Sequence, residues 1–330
     1  MRGARAMILA AGLGTRMRPL TDERAKPALP VRGRPVISLL LALLERHGCR
    51  EVLINLHHRS ETIRRAVEAD RPDGLAIQWS DEEAPLGTGG GLRRAAEFLR
   101  ESERCVVLAG DMLIDLDLPA LLERHRTSGR DVTLVLRRDP REAEFGSVGL
   151  DASGRVCRIG RHPVGRPATA SPAAREAACG LFTSVRFFER RALTGWPDAA
   201  VFEDLRDWLM PRAARGEIEL GAELVAADAS VWEPVGTPQE YLEINLAPPA
   251  LPSLGGPVEA WRGDVDVLGA ANDVIAARAA AIPGDALLER CVVWEDAVVP
   301  PGARLRAGVF GARGFHPVRD AAHAHQRGAA

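Results

Sequence analysis

A glycine-rich segment close to the N-terminus carries the residue types best suited to phosphate chemistry. It reads Leu9-Ala-Ala-Gly-Leu-Gly-Thr-Arg-Met-Arg-Pro-Leu-Thr21 and follows an apolar run that begins at Ala6. Glycine lets backbone N–H groups approach phosphate oxygens without obstruction by a Cβ atom. A guanidinium can then span two of those oxygens. We therefore predict a phosphate site formed by Leu9, Ala10, Ala11, Gly12, Gly14, Thr15 and Arg16.

Two common phosphate-binding motifs do not fit this segment. It lacks the GxxxxGK[ST] pattern of P-loop proteins. The spacing Gly12-x-Gly14 also lacks the third glycine of the dinucleotide-binding fingerprint. The turn therefore belongs to another class of phosphate site.

Lys26 is the single lysine among 43 basic residues, and it lies in Lys-Pro-Ala-Leu-Pro-Val31, just after the glycine turn. Such a bias is typical of a chain in which arginine stands wherever either cation serves. A lysine that remains is expected where a compact ammonium is needed and a forked guanidinium does not fit. The alternative is chance, but the position of Lys26 beside the turn favours a role at the phosphates.

Two further segments place polar groups next to predicted buried elements. A second glycine turn, Leu86-Gly-Thr-Gly-Gly-Gly91, leads into a predicted helix, and Gly87 and Thr88 are its candidate binding residues. Gly110 and Asp111 end the apolar strand Cys105–Ala109, and parallel sheets bind their ligands at such strand ends. A carboxylate at that place suits Mg²⁺, a hard cation that accompanies nucleotide phosphates.

Taken together, these motifs resemble those of the sugar-1-phosphate nucleotidylyltransferases. The family signature, GxGTRxxPLT followed by a proline-flanked lysine, is matched from Gly12 to Thr21 and at Lys26-Pro27. Further matches are Asn55-Leu-His-His58, Pro85-Leu-Gly-Thr-Gly-Gly90, Gly110-Asp111, Phe145-Gly146 and Gly236-Thr-Pro-x-x-Tyr-Leu-x-x-Asn245. The resemblance covers most of residues 1–247.

The resemblance implies an enzyme that joins an NTP to a sugar 1-phosphate and releases pyrophosphate. It implies catalytic roles for Arg16, Lys26 and Asp111, with Mg²⁺ held by Asp111. Gly87, Thr88 and Gly110 would contact the nucleotide, and Gly146 and Gly180 resemble sugar-contacting glycines, although both also suit ordinary turns.

The motifs look most like those of mannose-1-phosphate guanylyltransferases, which use GTP. Glu82 and Glu83 precede the second glycine turn, and a carboxylate there would accept from guanine N–H donors, unless both acids are merely solvated. Uridylyltransferases acting on N-acetylmuramate or glucose 1-phosphate remain the alternative enzymes.

The sequence departs from the family pattern at two places. Proline stands at position 234, where many members have the aspartate that is the second magnesium ligand. Glu233 beside it is one candidate replacement. The usual second lysine for the sugar phosphate is absent, and we expect Arg161, or Arg158, within the segment Arg155–Arg166 to replace it. The missing aspartate also leaves open a non-catalytic protein that binds nucleotide-sugars as a regulator.

The alternation of strands and helices along the chain predicts the fold that positions the candidate site residues. Apolar runs at Ala6–Ala10, Val52–Leu56, Cys105–Ala109 and Val132–Leu136 alternate with helical patterns such as Pro35–His47. This order predicts an α/β fold, Rossmann-like, with a mixed, mainly parallel sheet and helices on both faces.

The composition changes after residue 247. We predict a nucleotidyltransferase catalytic domain at 1–247, a Pro/Gly-rich linker at 248–257 and a short hexapeptide-repeat domain at 258–313. Apolar residues recur at intervals of six, at Ile275, Ala281, Leu287, Val293, Val299 and Leu305. This spacing predicts a short left-handed parallel β-helix in which each hexad forms one side of a coil. We expect a homo-oligomer to form through this domain. Residues 314–330, with His323 and His325, are predicted to be a flexible tail.

The overall composition of the chain narrows the possible partners and the cellular location of the protein. A chain of 330 residues with a net charge of −2 is not expected to bind nucleic acid. No apolar run approaches the roughly eighteen residues that a membrane-spanning helix needs, so we expect no membrane partner. The five cysteines are widely scattered, which favours a reducing, cytoplasmic location.

Overall fold

A central sheet of ten strands organises the computed structural model of the chain, which describes residues 1–164, 176–271 and 273–318. Two two-stranded sheets, β2 with β3 and β7 with β14, lie beside it. In chain order these strands are β1 (Arg5–Leu9), β2 (Pro30–Val31), β3 (Arg34–Pro35), β4 (Glu51–Leu56), β5 (Ala76–Asp81), β6 (Arg104–Ala109), β7 (Met112–Asp115), β8 (Val132–Arg137), β9 (Val148–Leu150), β10 (Val156–Ile159), β11 (His162–Pro163), β12 (Ala178–Glu189), β13 (Leu220–Val225) and β14 (Val231–Pro234).

Nine α-helices are present in the described ranges. They are α1 (Val36–Arg46), α2 (Ser60–Ala69), α3 (Gly87–Arg94), α4 (Ala96–Arg100), α5 (Leu118–Ser128), α6 (Glu142–Phe145), α7 (Met210–Arg215), α8 (Pro238–Leu246) and α9 (Val258–Trp261). A π-helical turn covers Asp204–Leu209, and single 3₁₀ turns cover Thr15–Met17, Leu20–Asp22, Lys26–Ala28, Arg190–Ala192 and Pro252–Leu254.

The predicted α/β class with a mainly parallel central sheet is confirmed. The main path of the sheet runs β11-β10-β9-β12-β6-β1-β4-β5, and β6, β1, β4 and β5 are mutually parallel. β12 enters antiparallel to β6 and also pairs with β8, whose other neighbour is β13.

Burial on both faces explains why the central strands are continuous apolar runs. Ala6 and Ile8 of β1 belong to the hydrophobic cluster that also contains α1. Met7 points to the opposite face and packs in a second cluster with Leu92 and Trp208. All three β1 side chains are fully buried. Because side chains alternate along a strand, a strand covered on both faces must be apolar at every position.

A separate C-terminal sheet has five strands within the described residues: β15 (Val265–Leu268), β16 (Val274–Ala277), β17 (Leu287–Val293), β18 (Arg304–Gly311) and β19 (Gly314–Pro317). β16, β17 and β18 are parallel, whereas β15 and β19 pair antiparallel at the two edges. The described structure establishes this sheet but not a left-handed β-helix.

The repeat length in this sheet is seventeen residues rather than the eighteen that three hexads require. Ile275 pairs with Val292, which pairs with Val309, and an isolated bridge joins Ala281 to Val298 at the same interval. The register therefore slips by one residue per coil relative to strict hexads. Leu287, a member of the predicted six-residue series, is 57% exposed, whereas its neighbour Leu288 packs against the hydrophobic cluster of this sheet.

The connection between the two sheets is packed against the first unit. Within the predicted linker, Leu251 and Leu254 are buried, and the Ser253 hydroxyl donates to Asp115 at 2.6 Å. In the adjoining helix α8, the Tyr241 hydroxyl donates to Pro30 O at 2.7 Å and accepts from Trp294 Nε1 at 2.9 Å. These buried contacts fix the C-terminal sheet to the segment that follows Lys26.

The predicted tail begins later than expected, because residues 314–317 form β19 and pair with β18. The rest of that tail, from position 319, including His323 and His325, lies outside the described residues. No helix in the described ranges is long and apolar enough to span a membrane.

Candidate active site

The first glycine turn follows β1, and its two glycines, Gly12 and Gly14, have different structural roles. Gly14 adopts φ +61° and caps the 3₁₀ turn Thr15–Met17. Its carbonyl accepts from the Thr21 hydroxyl at 2.8 Å, and a Cβ on Gly14 would come within 2.8 Å of Thr21 Cγ2. A Cβ on Gly12 would instead meet no atom within 4 Å. Gly14 therefore makes the turn, and Gly12 leaves space open above it.

A cavity of about 400 Å³ opens at the carboxyl ends of β1, β4 and β6. It brings together predicted residues from four separate motifs: Leu9, Ala10, Ala11, Gly12, Gly14, Thr15, Arg16, Lys26, Gly87, Thr88 and Asp111. Gly110 lies just behind this lining, where its N–H donates to Leu9 O at 2.8 Å. A Cβ on Gly110 would lie 3.0 Å from that oxygen, so glycine permits the close approach of β1 and β6.

Lys26 and Asp111, both in the lining of this cavity, form an ion pair. Lys26 Nζ lies 2.6 Å from Asp111 Oδ2, and the side chains are 10% and 33% exposed. Lys26 is buried in the 3₁₀ turn Lys26–Ala28 and is also one of the residues that line the cavity. The one lysine of the chain therefore contacts the acid at the end of β6, as expected of a residue whose compact charge matters.

Asn55 and Glu82 connect the two glycine turns. Asn55 Oδ1 accepts from Ala10 N at 2.8 Å, and its Nδ2 donates to Glu82 Oε1 at 2.7 Å. Glu82 Oε2 accepts from Leu86 N at 3.2 Å. Both oxygens of this buried carboxylate are thus used in shaping the loop before Gly87, whereas Glu83 is exposed. Asn55 belongs to a motif recognised in the sequence, but the sequence did not indicate this linking role.

The second glycine turn is held by two acids, Glu203 and Asp204, at the start of the π-helical turn. Thr88 Oγ1 lies 2.7 Å from Glu203 Oε2 and 2.6 Å from Asp204 Oδ1. Gly87 has φ +73°, and a Cβ on Gly89 would lie 2.3 Å from the Phe202 ring. The glycines of this motif are thus required by the local backbone and by close packing, while Thr88 faces the cavity.

Two residues of β12, Ser184 and Arg186, line the cavity and were missed by the sequence analysis. Arg186 is 2% exposed, and its Nε lies 2.7 Å from Asp204 Oδ2. One arginine among 42 carries no signal in such a sequence. The strand pairing of β12, which brings this arginine to the cavity, is not visible in a local pattern.

The residues predicted to bind the sugar phosphate lie elsewhere in the described structure, outside the lining of this cavity. Gly146 ends α6 with φ +83°, and Gly180 is packed in β12, where a Cβ would lie 2.5 Å from Leu224 Cδ1. Arg161 is exposed in the turn between β10 and β11. Arg158 is paired with Glu176 at 2.7 Å. Position 166 lies outside the described residues.

Pro234 lies next to Asp111, where the resemblance places a second acid. It pairs with Met112 across β14 and β7, and the following residue, Val235, donates its N–H to Asp111 O at 3.0 Å. Glu233 does not turn toward Asp111, because its carboxylate is paired with Arg141 at 2.9 Å. In the described ranges no group of three or more His, Cys, Asp or Glu side chains is arranged around a metal site.

A larger cavity of about 840 Å³ lies between α2 and the C-terminal sheet. Two of its arginines are already paired, Arg24 with Glu295 and Asp296, and Arg34 with Asp70. None of the residues that line it belongs to the predicted phosphate site. Size alone therefore does not identify the site, and the smaller cavity is the candidate because the motifs meet there.

Comparison with known proteins identifies the family of the chain. Residues 5–249 match the family model described as nucleotidyl transferase. A mannose-1-phosphate guanylyltransferase of Mycobacterium tuberculosis is 31% identical, over 92% of this chain and 79% of the relative. A UTP–glucose-1-phosphate uridylyltransferase of Synechocystis sp. is 30% identical, over 72% of this chain and 61% of the relative.

Among solved structures, the crystal structure of HddC from Yersinia pseudotuberculosis is similar to this chain. It has a TM-score of 0.59 at 21% sequence identity, and the match covers 73% of this chain and 97% of that one. At this identity the likeness shows a common fold.

Proposed function

The chain belongs to the nucleotidyl transferase family, and from that premise we propose that it is a sugar-1-phosphate nucleotidylyltransferase, with GTP and mannose 1-phosphate as its substrates. The observation that carries the proposal is the ion pair of Lys26 with Asp111, 2.6 Å long, beside the open space over Gly12. A backbone turn, two cations and one carboxylate in a single cavity suit the transfer of a phosphate-linked group.

In the proposed reaction an oxygen of the sugar phosphate bonds to the α-phosphorus of the NTP. The bond from that phosphorus to the oxygen bridging to the β-phosphate breaks, and pyrophosphate leaves with the electron pair. Backbone N–H groups from Ala11 to Thr15 hold the phosphates, while Arg16 and Lys26 neutralise the charge that develops on the α-phosphate and the leaving group. The protein supplies position and charge, and no covalent enzyme intermediate is required.

Asp111 is the residue that would hold Mg²⁺. Magnesium is commonly bound by one or two carboxylates together with substrate phosphates, so a single carboxylate beside a phosphate site fits the ion. The ion would supply further neutralisation of phosphate charge. Lys26, already in contact with the same carboxylate, keeps Asp111 facing the cavity.

The test is pyrophosphate release in the presence of Mg²⁺. GTP, UTP, dTTP, ATP and CTP are each paired with mannose, glucose, N-acetylglucosamine and N-acetylmuramate 1-phosphates. We expect turnover with GTP and mannose 1-phosphate. The Synechocystis relative makes UTP with glucose 1-phosphate the alternative pair, and turnover there would replace the proposed substrates but keep the reaction.

Pro234 supports a second candidate, a protein that binds nucleotide-sugars without making them. With proline at this position, the chain lacks the second acid that a two-carboxylate metal site requires. This second candidate predicts no pyrophosphate release with any pair in the panel, together with tight binding of a nucleotide-sugar measured by calorimetry. That result would favour a regulator and reject the enzyme.

The C-terminal sheet supports a proposal about assembly. The seventeen-residue parallel register of β16, β17 and β18 suits a short left-handed β-helix built on imperfect hexapeptide repeats. We propose that this sheet joins copies of the chain into a homo-oligomer in the cytoplasm. Leu287 and Val298 are 57% and 72% exposed, and glutamate at both positions is expected to lower the mass measured by light scattering. An unchanged mass would reject these residues as the contact.

A further inference from the structure

A buried side chain of the C-terminal sheet, Trp294, supports the segment that carries Lys26 on both sides. Before Lys26, the Arg24 guanidinium lies over the indole ring, 4.5 Å from the ring centroid. After Lys26, the indole Nε1 donates to the Tyr241 hydroxyl at 2.9 Å, and that hydroxyl donates to Pro30 O at 2.7 Å. The backbone on each side of the lysine is therefore tied to one residue of the other sheet.

Trp294 is itself a fixed support. It directly follows β17 and is 1% exposed. Its N–H donates to Phe310 O of β18 at 3.0 Å, and its carbonyl accepts from Ala297 N at 3.1 Å. Because protein interiors are close-packed, a buried indole held in this way has little freedom to move.

The contact with Arg24 is completed by two acids that directly follow Trp294. Arg24 is paired with Glu295 at 3.0 Å and with Asp296 at 2.8 Å, and its side chain is 14% exposed. A cation over an indole face is attracted to the ring, and the two carboxylates keep the guanidinium there. The three residues from 294 to 296 thus form one surface that fits this arginine.

The contact through Tyr241 depends on the indole donor. Tyr241 is fully buried, and burial raises the pKa of its hydroxyl, so the group stays protonated and keeps its bond to Pro30 O. The hydroxyl oxygen accepts from Trp294 Nε1. Loss of that donor would leave a buried acceptor unpaired, which costs free energy and favours a shift of the tyrosine.

Lys26 needs such support because its own ion pair does not fix its position. The pair with Asp111 is partly exposed, and partly exposed pairs stabilise little. A lysine side chain is long and flexible, so the place of its ammonium depends on the backbone below it. A displacement of about 1 Å at a reacting group can lower a rate about 10²-fold.

We propose that Trp294 is a positioning residue for the reaction, which holds the backbone on both sides of Lys26 so that the ammonium stays at the phosphate site. The inference rests on the proposed function. Trp294 is not among the residues that line the cavity, so it acts through Lys26 and not by touching a substrate. The C-terminal sheet thereby contributes to turnover as well as to assembly.

The first test compares Trp294→Ala with a matched control, Trp261→Ala. Trp261 is equally buried and belongs to the same hydrophobic cluster, but its Nε1 has no hydrogen-bond partner in the described part of the chain. We expect Trp294→Ala to lower kcat about tenfold or more, with either KM changed by less than about threefold. The control should keep kcat within about twofold. Equal losses of kcat in the two variants would overturn the proposal.

A double-mutant cycle separates positioning from general damage. If Trp294 acts through Lys26, then Trp294→Ala should lower kcat by less than about twofold when Lys26→Ala is already present. A loss of folded protein would instead lower kcat by the same factor in both backgrounds, and that result would overturn the proposal.

Milder variants keep the cycle usable if Trp294→Ala does not fold. Trp294→Phe keeps an aromatic face under Arg24 but lacks the indole donor, and Tyr241→Phe lacks the donor to Pro30 O. Each should lower kcat about threefold in the wild type and leave it unchanged in Lys26→Ala. Equal factors in the two backgrounds would overturn the proposal here too.

Labelling of Lys26 tests the inference even if the wild type releases no pyrophosphate. Lys26 is the single lysine of the chain, so mass spectrometry of its peptide after treatment with an amine reagent reports its accessibility. Trp294→Ala should raise the labelling rate about fivefold, and Trp261→Ala by less than about twofold. Thiol labelling of Cys105, which is buried in β6, should stay unchanged in both variants.

The outcomes of the labelling experiment separate the two proposals. Faster labelling of Lys26 in Trp294→Ala alone would support the inference, and inactivity of the wild type would then reject only the proposed function. An unchanged rate at Lys26, or an equal rise at Cys105 that reveals general opening of the central sheet, would overturn the inference.

Discussion

Two parts of the candidate cavity are built in different ways. The proposed phosphate site consists of one continuous backbone turn together with Lys26 and Asp111. The wall formed by β12 contains Arg186, which lies just after a strand bulge and is paired with the buried Asp204. Backbone recognition leaves a dense local pattern of glycines in the sequence. Side-chain recognition depends on strand pairing and leaves no local pattern.

Replacing Lys26 tests the proposed phosphate site with the largest expected effect. Lys26→Ala is expected to lower turnover about 10³-fold, because it removes a preorganised charge from the transferring phosphate. Lys26→Arg should still lose about 10²-fold, because a forked guanidinium does not match the compact ammonium. The measurement is the initial rate of pyrophosphate release.

The control for Lys26 is Arg34→Ala, which breaks a comparable ion pair, 21% and 40% exposed, outside the site. The free energy of unfolding should change by only about 1 kcal/mol in Arg34→Ala, since such a partly exposed pair contributes little. Thermal unfolding of Lys26→Ala is measured alongside to show that the variant is folded at the assay temperature. Turnover of Lys26→Ala within twofold of the wild type would contradict the assignment of the site.

Asp111→Asn is expected to have the next largest effect. Turnover should fall about 10²-fold, and the Mg²⁺ concentration needed for half-maximal rate should rise, because an amide binds magnesium less well than a carboxylate. Chelation with EDTA should stop the wild-type reaction and added Mg²⁺ should restore it. A variant with an unchanged Mg²⁺ dependence would show that Asp111 does not hold the ion, even if the rate falls.

The sequence predicted most of the fold because strands buried on both faces are apolar at every position, as in β1. It failed where register decides the outcome. In the C-terminal sheet, the parallel strands pair at an interval of seventeen residues, whereas three hexads would give eighteen. In β12, the bulge at Ser184 places Arg186 in the cavity wall. Both features are set by pairing between distant segments, and a period read along one segment does not contain that information.

The glycines of the first turn give an intermediate test of backbone recognition. Gly12→Ala adds a methyl group to open space and should raise KM for the NTP about tenfold, with the free energy of unfolding changed by less than about 0.5 kcal/mol. Gly14→Ala adds a Cβ at φ +61° against Thr21, and should cost about 1–3 kcal/mol of stability. Thermal unfolding and KM are measured on both. Equal losses of stability would mean that the turn uses both glycines only to fold.

The smallest expected effect concerns Arg161, because its predicted role at the sugar phosphate does not agree with its position in the structure. Sequence reasoning assigns it to the sugar phosphate, but the described structure leaves it exposed in the turn between β10 and β11. From that position Arg161→Ala should change the sugar 1-phosphate KM less than twofold, as measured from initial rates of pyrophosphate release at varied sugar 1-phosphate concentrations. A tenfold rise would show that this turn moves to the cavity when substrate binds. The cavity would then contain two arginines from separate segments besides the proposed phosphate site, and the contrast with that single continuous turn would become stronger.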